Sequence, residues 1–578
     1  MTQNRVKWLP WNKNSFTKAQ ELDIPILLGI SAVWCHWCHV MDETTYSNKE
    51  VVEHINENFI PIRVNRDRRP DIDKRYNMGG WPSTVFLTPE GEILTGGTYI
   101  PPQQMMFILD QVNRSYKKNK IELKTKIKLI QEKQQKYETQ RIIDDVEFHS
   151  ITDYLTFEIT SQFDPVHGGF GSAPKFPHSE ALRFILLQYF LKNHNAALNI
   201  VKKTLLKMGE GGIFDKEEGG FFRYSTTNDW SVPHYEKMCE DNAKLLINYL
   251  EASQITGETA FKNKAKNVLE YIDSKLSNKE NGGFYGSQDA DEVYYKLKLP
   301  ERSKKIPPKI DQTIFTDWNA MMSSAYLLAS VVLADQKYQN FALKTIDYIL
   351  RTFKPTEGIK HYINEEKNEY SGFLTDHVYI TKCLIDTYQI TSNQKFLDIA
   401  ENIAEFMIKN LWDKNGGFYD KTKKINEIGA LKQLDKPLGE NSVAAETFLR
   451  LYHLTDKSTY LEKAKKTLNY FATNYKRYGI TAASYGLAVE LYMNPMKINI
   501  IGSKEDEKTH QFLTECLKTY NPLKVLEIVD PEKNSERLEL LGYPETERPI
   551  TYVCYEKTCK SIKNPEKISS IVGGKTDG

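Results

Sequence analysis

The chain has 578 residues, 77 Lys+Arg against 76 Asp+Glu and 40% hydrophobic residues, enough for about two to four domains with sizeable cores. A formal net charge of +1 excludes a sequence-independent nucleic-acid binder, which needs a basic surplus. The longest apolar stretch, Ile24 to Trp34, is interrupted by Pro25 and Gly29 and is about half the length of a membrane span, so no membrane partner is expected.

The opening MTQNRVKWLPWNKN has no apolar signal-peptide core, so a cytoplasmic location is expected. Seven cysteines make no disulfide scaffold; in a reducing compartment a close pair reads as redox or metal chemistry. Residues 25–33 predict a buried strand that runs directly into Trp34-Cys35-His36-Trp37-Cys38-His39. A second amphipathic helix follows, with Ser47 as its cap and Val51, Val52, Ile55 and Phe59 on its apolar side. Next come a strand over 60–64, a turn through Pro82 into a strand over 83–88, and a hairpin at Glu90-Gly91. Strand, Cys-x-x-Cys, helix, strand, proline, strand, hairpin is the thioredoxin order.

That order places Cys35 at a helix N-terminus, where unpaired N–H groups and the helix dipole stabilise a thiolate. Cys38, one turn on, is the resolving thiol, and His36 and His39 add positive charge. Trp34, His36 and Trp37 flank the pair as contacts for a client. Pro82 is expected as a cis-proline packed against the pair, leaving a backbone edge open to a substrate strand. Zinc is the alternative, but Cys35, His36, Cys38 and His39 are too adjacent to converge on one ion, and Cys554 and Cys559 are spaced differently. No metal and no cofactor are expected.

Segment 101–140 is a charged helical stretch, with apolar residues at Met105, Ile108, Leu109, Val112, Leu123, Ile127 and Ile130, that reads as a connector. Helical periodicity then recurs over 150–162, 179–192, 196–208, 241–255, 259–276, 318–335, 338–354, 376–391, 394–411, 441–455, 458–476 and 480–493. Short and long connections alternate, so helices alternating outer and inner around a ring would put every long loop on one face: an (α/α)6 toroid with a built-up mouth. Gly-Gly-Phe recurs in those loops at 168–170, 219–221, 282–284 and 416–418, either as tight-turn chemistry or with the aromatic covering the rim.

The inner helices begin Glu240-Asp241-Asn242, Asp317-Trp318-Asn319, Asp376-His377 and Glu440-Asn441. Each is explained by capping, or together they line a polar, aromatic mouth suited to a carbohydrate. His234 and Glu236, leading into one inner helix, and Asp289 and Asp291, after the third Gly-Gly-Phe, join them. Asp241, Asp289, Asp317, His234, Glu236 and His377 could supply the paired carboxylates of a hydrolase or the acid and base of an epimerase. Their spacing does not choose between these.

The stretches WCHWCHVMDETTYSNKEVVEHIN, NRDRRPDIDKRY, GGWPSTVFLTPEGEILTGGTYIPP, GGFGSAPKFP, VPHYEKMCEDNA, QDADE, DWNAMM and GENSVAA resemble, in order, the thioredoxin-domain family that includes spermatogenesis-associated protein 20 and the YyaL-like proteins. The resemblance implies a thioredoxin-like fold joined to a six-hairpin toroid like that of N-acylglucosamine 2-epimerases and glycosidases. It implies more about fold than about reaction. Lys175 and Phe176, within GGFGSAPKFP, enter the expected substrate contacts on that ground. Two departures stand out: RYNMGGWPS lacks the helical insertion common in the family, and Asp376-His377 replaces the usual Asp-Tyr, which weakens a two-histidine epimerase.

From 497 the pattern becomes strand, helix (506–519), strand and a late strand ITYVCY, a small α/β appendage in which Cys554 and Cys559 are expected as free thiols. The expected organisation is multidomain: an α/β thioredoxin-like domain (1–115), a helical connector (116–148), an all-α toroid (149–495) and a small α/β C-terminal segment (496–578). Three functions follow: thiol–disulfide exchange through Cys35 and Cys38, carbohydrate isomerisation or hydrolysis in the toroid mouth, or recognition without catalysis. The corresponding partners are a protein thiol client or a carbohydrate.

Overall fold

The computed structural model describes residues 5–118, 146–364, 370–425, 427–544, 547–556 and 558–574. The chain divides into two compact units. The first comprises residues 1–141 together with two short segments, 289–292 and 421–435; the second holds the remainder.

The first unit runs α1 (Lys13–Leu22), β1 (Ile26–Ser31), α2 (His36–Thr44), α3 (Lys49–Asn58), β2 (Ile60–Asn65), α4 (Pro70–Tyr76), β3 (Ser83–Leu87), β4 (Ile93–Gly97) and a helix α5 over 102–118. Its sheet is ordered β2-β1-β3-β4, with β1 parallel to β2 and antiparallel to β3. This is the thioredoxin-like arrangement the residue order predicts. The ILLGIS strand is buried along nearly all its length, as a central strand covered on both faces must be. The cap of α3 is Asn48, one residue beyond the expected Ser47, and accepts from Val51 N–H. Met105 and Leu109 of α5 are fully buried among Leu27, Val52, Phe59 and Phe86, so the described part of the supposed connector is a core element; its continuation through Leu123, Ile127 and Ile130 lies outside the described residues. Segment 421–435 also belongs to this core: Leu431 is buried beside Tyr76, whose hydroxyl donates to Gly91 O and accepts from Ala430 N–H.

The second unit contains, among the described residues, twelve long helices: α6 (Phe148–Ser161), α7 (Ser179–Lys192), α8 (Asn195–Glu210), α9 (Cys239–Thr256) and α10 (Thr259–Tyr271), then, after one-turn helices α11 (Glu292–Tyr295) and α12 (Leu299–Arg302), α13 (Thr316–Leu333), α14 (Gln336–Leu350), α15 (Leu374–Thr391), α16 (Gln394–Asn410), α17 (Leu438–Thr455), α18 (Ser458–Phe471) and α19 (Ala483–Met493). Helices α7, α9, α13, α15, α17 and α19 pack in succession and close on α7, giving the inner ring; each of the other six packs outside a partner. The distinction is written in burial. Inner α13 is buried almost all round, whereas outer α14 buries one stripe, Tyr338, Ala342, Thr345, Ile346 and Ile349. Two-residue strands β5 (Tyr224–Ser225), β6 (Pro233–His234), β7 (Lys237–Met238), β8 (Ser287–Gln288), β9 (Ile310–Asp311), β10 (Ile314–Phe315) and β11 (Tyr362–Ile363) tie the long loops together.

The C-terminal part is β12 (Met496–Ile501), α20 (Glu507–Lys518), β13 (Lys524–Val529), α21 (Ser535–Leu541), β14 (Ile550–Tyr555), β15 (Thr558–Ile562) and α22 (Ile568–Val572). Its sheet is ordered β13-β12-β14-β15, with β12 parallel to β13 and antiparallel to β14. Strand order and directions are those of the first unit, with one helix in place of two between the first two strands, so the appendage is a second module of thioredoxin-like topology. Contrary to expectation, Cys554 and Cys559 form a disulfide; they face each other directly across the β14–β15 ladder. Among the described residues no helix is long and apolar enough to cross a membrane.

Candidate functional site

Cys35 is the N-cap of α2, and its Sγ accepts the N–H of Cys38 at 3.2 Å. The two sulfurs form a disulfide, and both residues are buried. The Trp81–Pro82 peptide is cis, and the two preceding tryptophans, Trp34 and Trp81, meet edge-to-face at 5.8 Å, so the proline turn and the cysteine turn are brought together. Trp34 is buried and donates to Asp67 Oδ2 at 2.8 Å, and Trp81 donates to Asp73 Oδ1 at 2.8 Å. Arg66 lies over the Trp81 ring at 4.5 Å. Trp34 is therefore a wall of the site, while His36 and Trp37 are exposed beside it. His39 Nε2 lies 2.7 Å from Val33 O and 3.6 Å from Asp289 Oδ2. Asp289 and Asp291 thus fall in the first unit with the cysteines, not in the toroid mouth where they were expected.

In the toroid the repeated polar residues have an architectural task. Asn242 Oδ1 accepts from Phe221 N–H, and its amide donates to Phe221 O and Met238 O. Asn319 does the same with Phe284 N, Phe284 O and Phe315 O, and Asn441 with Phe418 N, Phe418 O and Pro437 O. In a fourth repeat His377 substitutes: Nε2 accepts from Ile359 N–H and Nδ1 donates to Phe373 O. All four side chains are fully buried, so Asn242, Asn319, Asn441 and His377 clamp loop to helix and are withdrawn from the expected ligand contacts. They are not caps either, because the N-cap positions are Met238, Phe315, Phe373 and Pro437. In Gly-Gly-Phe both glycines hold positive φ (80° and 78° at Gly219 and Gly220), where a side chain is strained. The phenylalanines are buried, which favours the turn reading over a rim cover. Lys175, also expected at the substrate, is buried on Asp164 Oδ2 and Asn228 O.

Two groups of predicted residues do come together. Phe176 stacks on Tyr224 at 4.8 Å and Tyr224 on His234 at 4.9 Å, and His234 Nδ1 pairs with buried Glu236. Deeper, Asp317, Asp376 and a residue the sequence reading missed, His361, are buried with one ligand-type atom from each within 4.8 Å of the others. His361 Nδ1 lies 2.9 and 3.0 Å from the two oxygens of Asp376. Asp317 accepts from Thr375 Oγ1 at 3.0 Å and from Trp318 N–H. Burial, reinforced by the Asp376 charge, pushes the Asp317 carboxyl up to about 7, so it holds a proton near neutrality. Trp318 is largely buried, and its ring packs on Phe315 at 4.5 Å. Asp241 and Glu440 are half-buried at the matching starts of α9 and α17. Nothing in the spacing of His361 marked it; the β10–β11 pairing opposes Phe315 and Tyr362 and thereby carries His361 to the start of α13.

One helical turn beyond Asp241, Asp317 and Asp376 stand Lys244, Met321 and Tyr379, which line a cavity of about 200 Å³. Its walls carry paired charges: Arg183 with Glu251, Lys382 with Glu446, and Arg450 with Asp386. Tyr520, Asn521 and Lys524 line it from the C-terminal module.

Residues 1–135 match the family described as protein of unknown function DUF255, and residues 287–478 match glycosyl hydrolase family 76. The matched span 287–478 contains Asp317, His361 and Asp376. Spermatogenesis-associated protein 20 of Homo sapiens is 25% identical, covering 98% of this chain and 90% of that protein; the Rattus norvegicus protein of the same name is 26% identical, covering 92% and 84%. Among solved structures, cellobiose 2-epimerase from Bacillus thermoamylovorans is similar with a TM-score of 0.45 and 14% identity over 57% of this chain and 88% of that one. The family 76 α-mannanase BT2949 of Bacteroides thetaiotaomicron gives a TM-score of 0.45 and 13% identity over 60% and 96%. The chain is a thioredoxin-like domain joined to a six-hairpin helical toroid. Along nearly its whole length it is similar to spermatogenesis-associated protein 20.

Proposed function

We propose that this protein is a thiol–disulfide exchange protein working through Cys35 and Cys38. The observation that carries the reading is the position of Cys35 Sγ: at the N-cap of α2, accepting the Cys38 N–H and bonded to the Cys38 sulfur. In the reduced pair the same N–H and helix terminus stabilise a Cys35 thiolate. That thiolate attacks a client disulfide, one client sulfur leaves as a thiolate, and Cys38 then attacks the mixed disulfide to release the second. Two electrons pass from the pair to the client. Because both cysteines are nearly closed to solvent, the reading favours an extended segment or a small disulfide over a bulky folded surface.

Titration of the pair in glutathione redox buffers, read by alkylation and mass, tests this. A reversible two-electron transition is expected, with Cys38→Ser accumulating a mixed disulfide on Cys35 and Cys35→Ser inactive. A pair that closes only under harsh oxidant overturns it.

The Asp317–His361–Asp376 cluster favours a second reading for the toroid, acid–base chemistry on a polyhydroxylated ligand. A carboxyl that is protonated near pH 7 suits a general acid, and His361, oriented by Asp376, suits its partner. The match of residues 287–478 to glycosyl hydrolase family 76 supports a carbohydrate as that ligand. A saccharide panel should contain a ligand that raises the melting temperature of the wild-type chain and not of His361→Gln; a panel with no such ligand counts against it.

A further inference from the structure

The second thioredoxin-like module carries no cysteine where the first carries Cys35. At the N-cap of α20 stands Asp506, an ordinary cap accepting from Thr509 N–H. Its cysteines lie elsewhere. Cys516 is a buried thiol on α20, and Cys554 and Cys559 form the disulfide of the β14–β15 hairpin.

That hairpin disulfide is poorly placed to be a staple. It spans five residues, and closing so short a loop removes less entropy from the unfolded chain than a longer loop would. Its register is already held by the pairs Thr551–Ile562, Tyr552–Ser561, Val553–Lys560 and Tyr555–Thr558. The outer strand β15 is exposed along all but its last residue, Cys559 included, while Cys554 is half-buried. The two sulfurs are therefore unequal in access.

They are unequal in polarity as well. The Tyr543 hydroxyl lies 3.4 Å from Cys554 Sγ. A disulfide sulfur has no proton to give, so the tyrosine is the donor. Its oxygen in turn accepts from the Nδ2 of Asn499 on β12, and its ring is held by stacking on Tyr552 at 3.9 Å. A buried amide and a fixed phenol thus end in one O–H aimed at the inner sulfur.

We propose that Cys554–Cys559 is a second thiol–disulfide centre, in which a thiolate reductant attacks exposed Cys559 and Cys554 leaves as a thiolate on the Tyr543 O–H. With a thiol donor the step balances. The attacking sulfur bonds to Cys559 as the Cys554–Cys559 bond breaks with its electron pair on Cys554. A second donor thiol then cleaves the mixed disulfide, leaving two cysteine thiols and an oxidised donor. A hydrogen bond that strengthens as charge develops on the leaving sulfur speeds that step. The centre goes beyond the chemistry of Cys35 and Cys38 and does not depend on it.

The test uses the full chain carrying Cys35→Ser and Cys38→Ser, so that the first pair is silent whatever its own activity. Exposed to glutathione and its disulfide in graded ratios under native conditions, the Cys554–Cys559 pair should open and close reversibly. The transient glutathione adduct should map by mass spectrometry to Cys559. Adding Tyr543→Phe should slow reduction about tenfold while leaving the melting temperature of the module within a few degrees. Reduction only when the chain unfolds would make the bond a staple and overturn the proposal. An adduct on Cys554, or an unchanged rate in Tyr543→Phe, would overturn the assigned polarity.

Discussion

Replacing Asp317 by Asn should stabilise the protein, and only above mildly acidic pH. The Asp317 carboxyl is raised from 3.8 to about 7, first by burial and then by the charge of Asp376. The unfolded chain releases this proton near pH 4, whereas the folded chain keeps it until near pH 7. Across that window the folded state binds more protons, so the contribution of Asp317 falls as pH rises and levels off above pH 7. That rise, from 3.8 to about 7, sets the cost of the ionised, buried group on the order of 4 kcal/mol. Asparagine stays neutral, keeps an oxygen for Trp318 N–H, and offers an amide to Thr375 Oγ1, which can accept as well as donate. Urea unfolding of both proteins at pH 4, 6 and 8 gives the difference for Asp317 together with its coupling to Asp376 and His361. The variant should match wild type at pH 4 and gain up to about 4 kcal/mol by pH 8. A difference that does not change with pH, or a loss at pH 8, would refute the placement of Asp317 as a buried acid.

Asn319→Ala should cost about 3–5 kcal/mol, because it takes their side-chain partner from the buried Phe284 N–H and carbonyl; a loss below about 1 kcal/mol in chemical denaturation would deny the clamp. Gly220→Ala should cost at least about 2 kcal/mol, since the residue sits at φ 78° and a Cβ there would lie 2.5 Å from the Tyr271 ring; an unchanged melting temperature would contradict that packing.

The helices were legible because their apolar periodicity is long and regular, and the expected spans agree with the observed ones within a few residues. Four of the inner helices, α9, α13, α15 and α17, begin two or three residues before their expected starts. Their N-caps are Met238, Phe315, Phe373 and Pro437, and none of these residue types signals a helix start. The asparagines misled for the same reason: an Asn near a helix start reads as a cap or a ligand contact, and only the folded loop shows its amide filled by backbone. His361 was illegible because what places it is a two-residue strand pairing with a segment some forty-five residues earlier. Cys554 and Cys559 were judged by compartment, whereas the hairpin register decides that they meet. The C-terminal module escaped because its short strands carry the thioredoxin order without a Cys-x-x-Cys to announce it.

The clamps also fix where the candidate acid–base residues of the toroid stand. In four repeats the clamp side chain reaches back to the carbonyl of the N-cap, four residues earlier, so the two residues before it occupy equivalent places at the mouth. One residue before the clamp stand Asp241, Trp318, Asp376 and Glu440; two before stand Glu240, Asp317, Thr375 and Gly439. The Thr375–Asp317 hydrogen bond therefore joins the same position of neighbouring repeats, and Asp376 faces His361 from the other position. The clamp residues hold loop to helix, while the residues one and two positions earlier differ from repeat to repeat. Exchanging the clamp residue should cost stability, whereas exchanging half-buried Glu440, one position before its clamp, should cost little. Glu440→Gln beside Asn441→Ala makes the comparison: the first should leave the unfolding midpoint within about 0.5 kcal/mol of wild type and the second should lower it by several. Equal losses would mean that frame and site are not separable in this toroid.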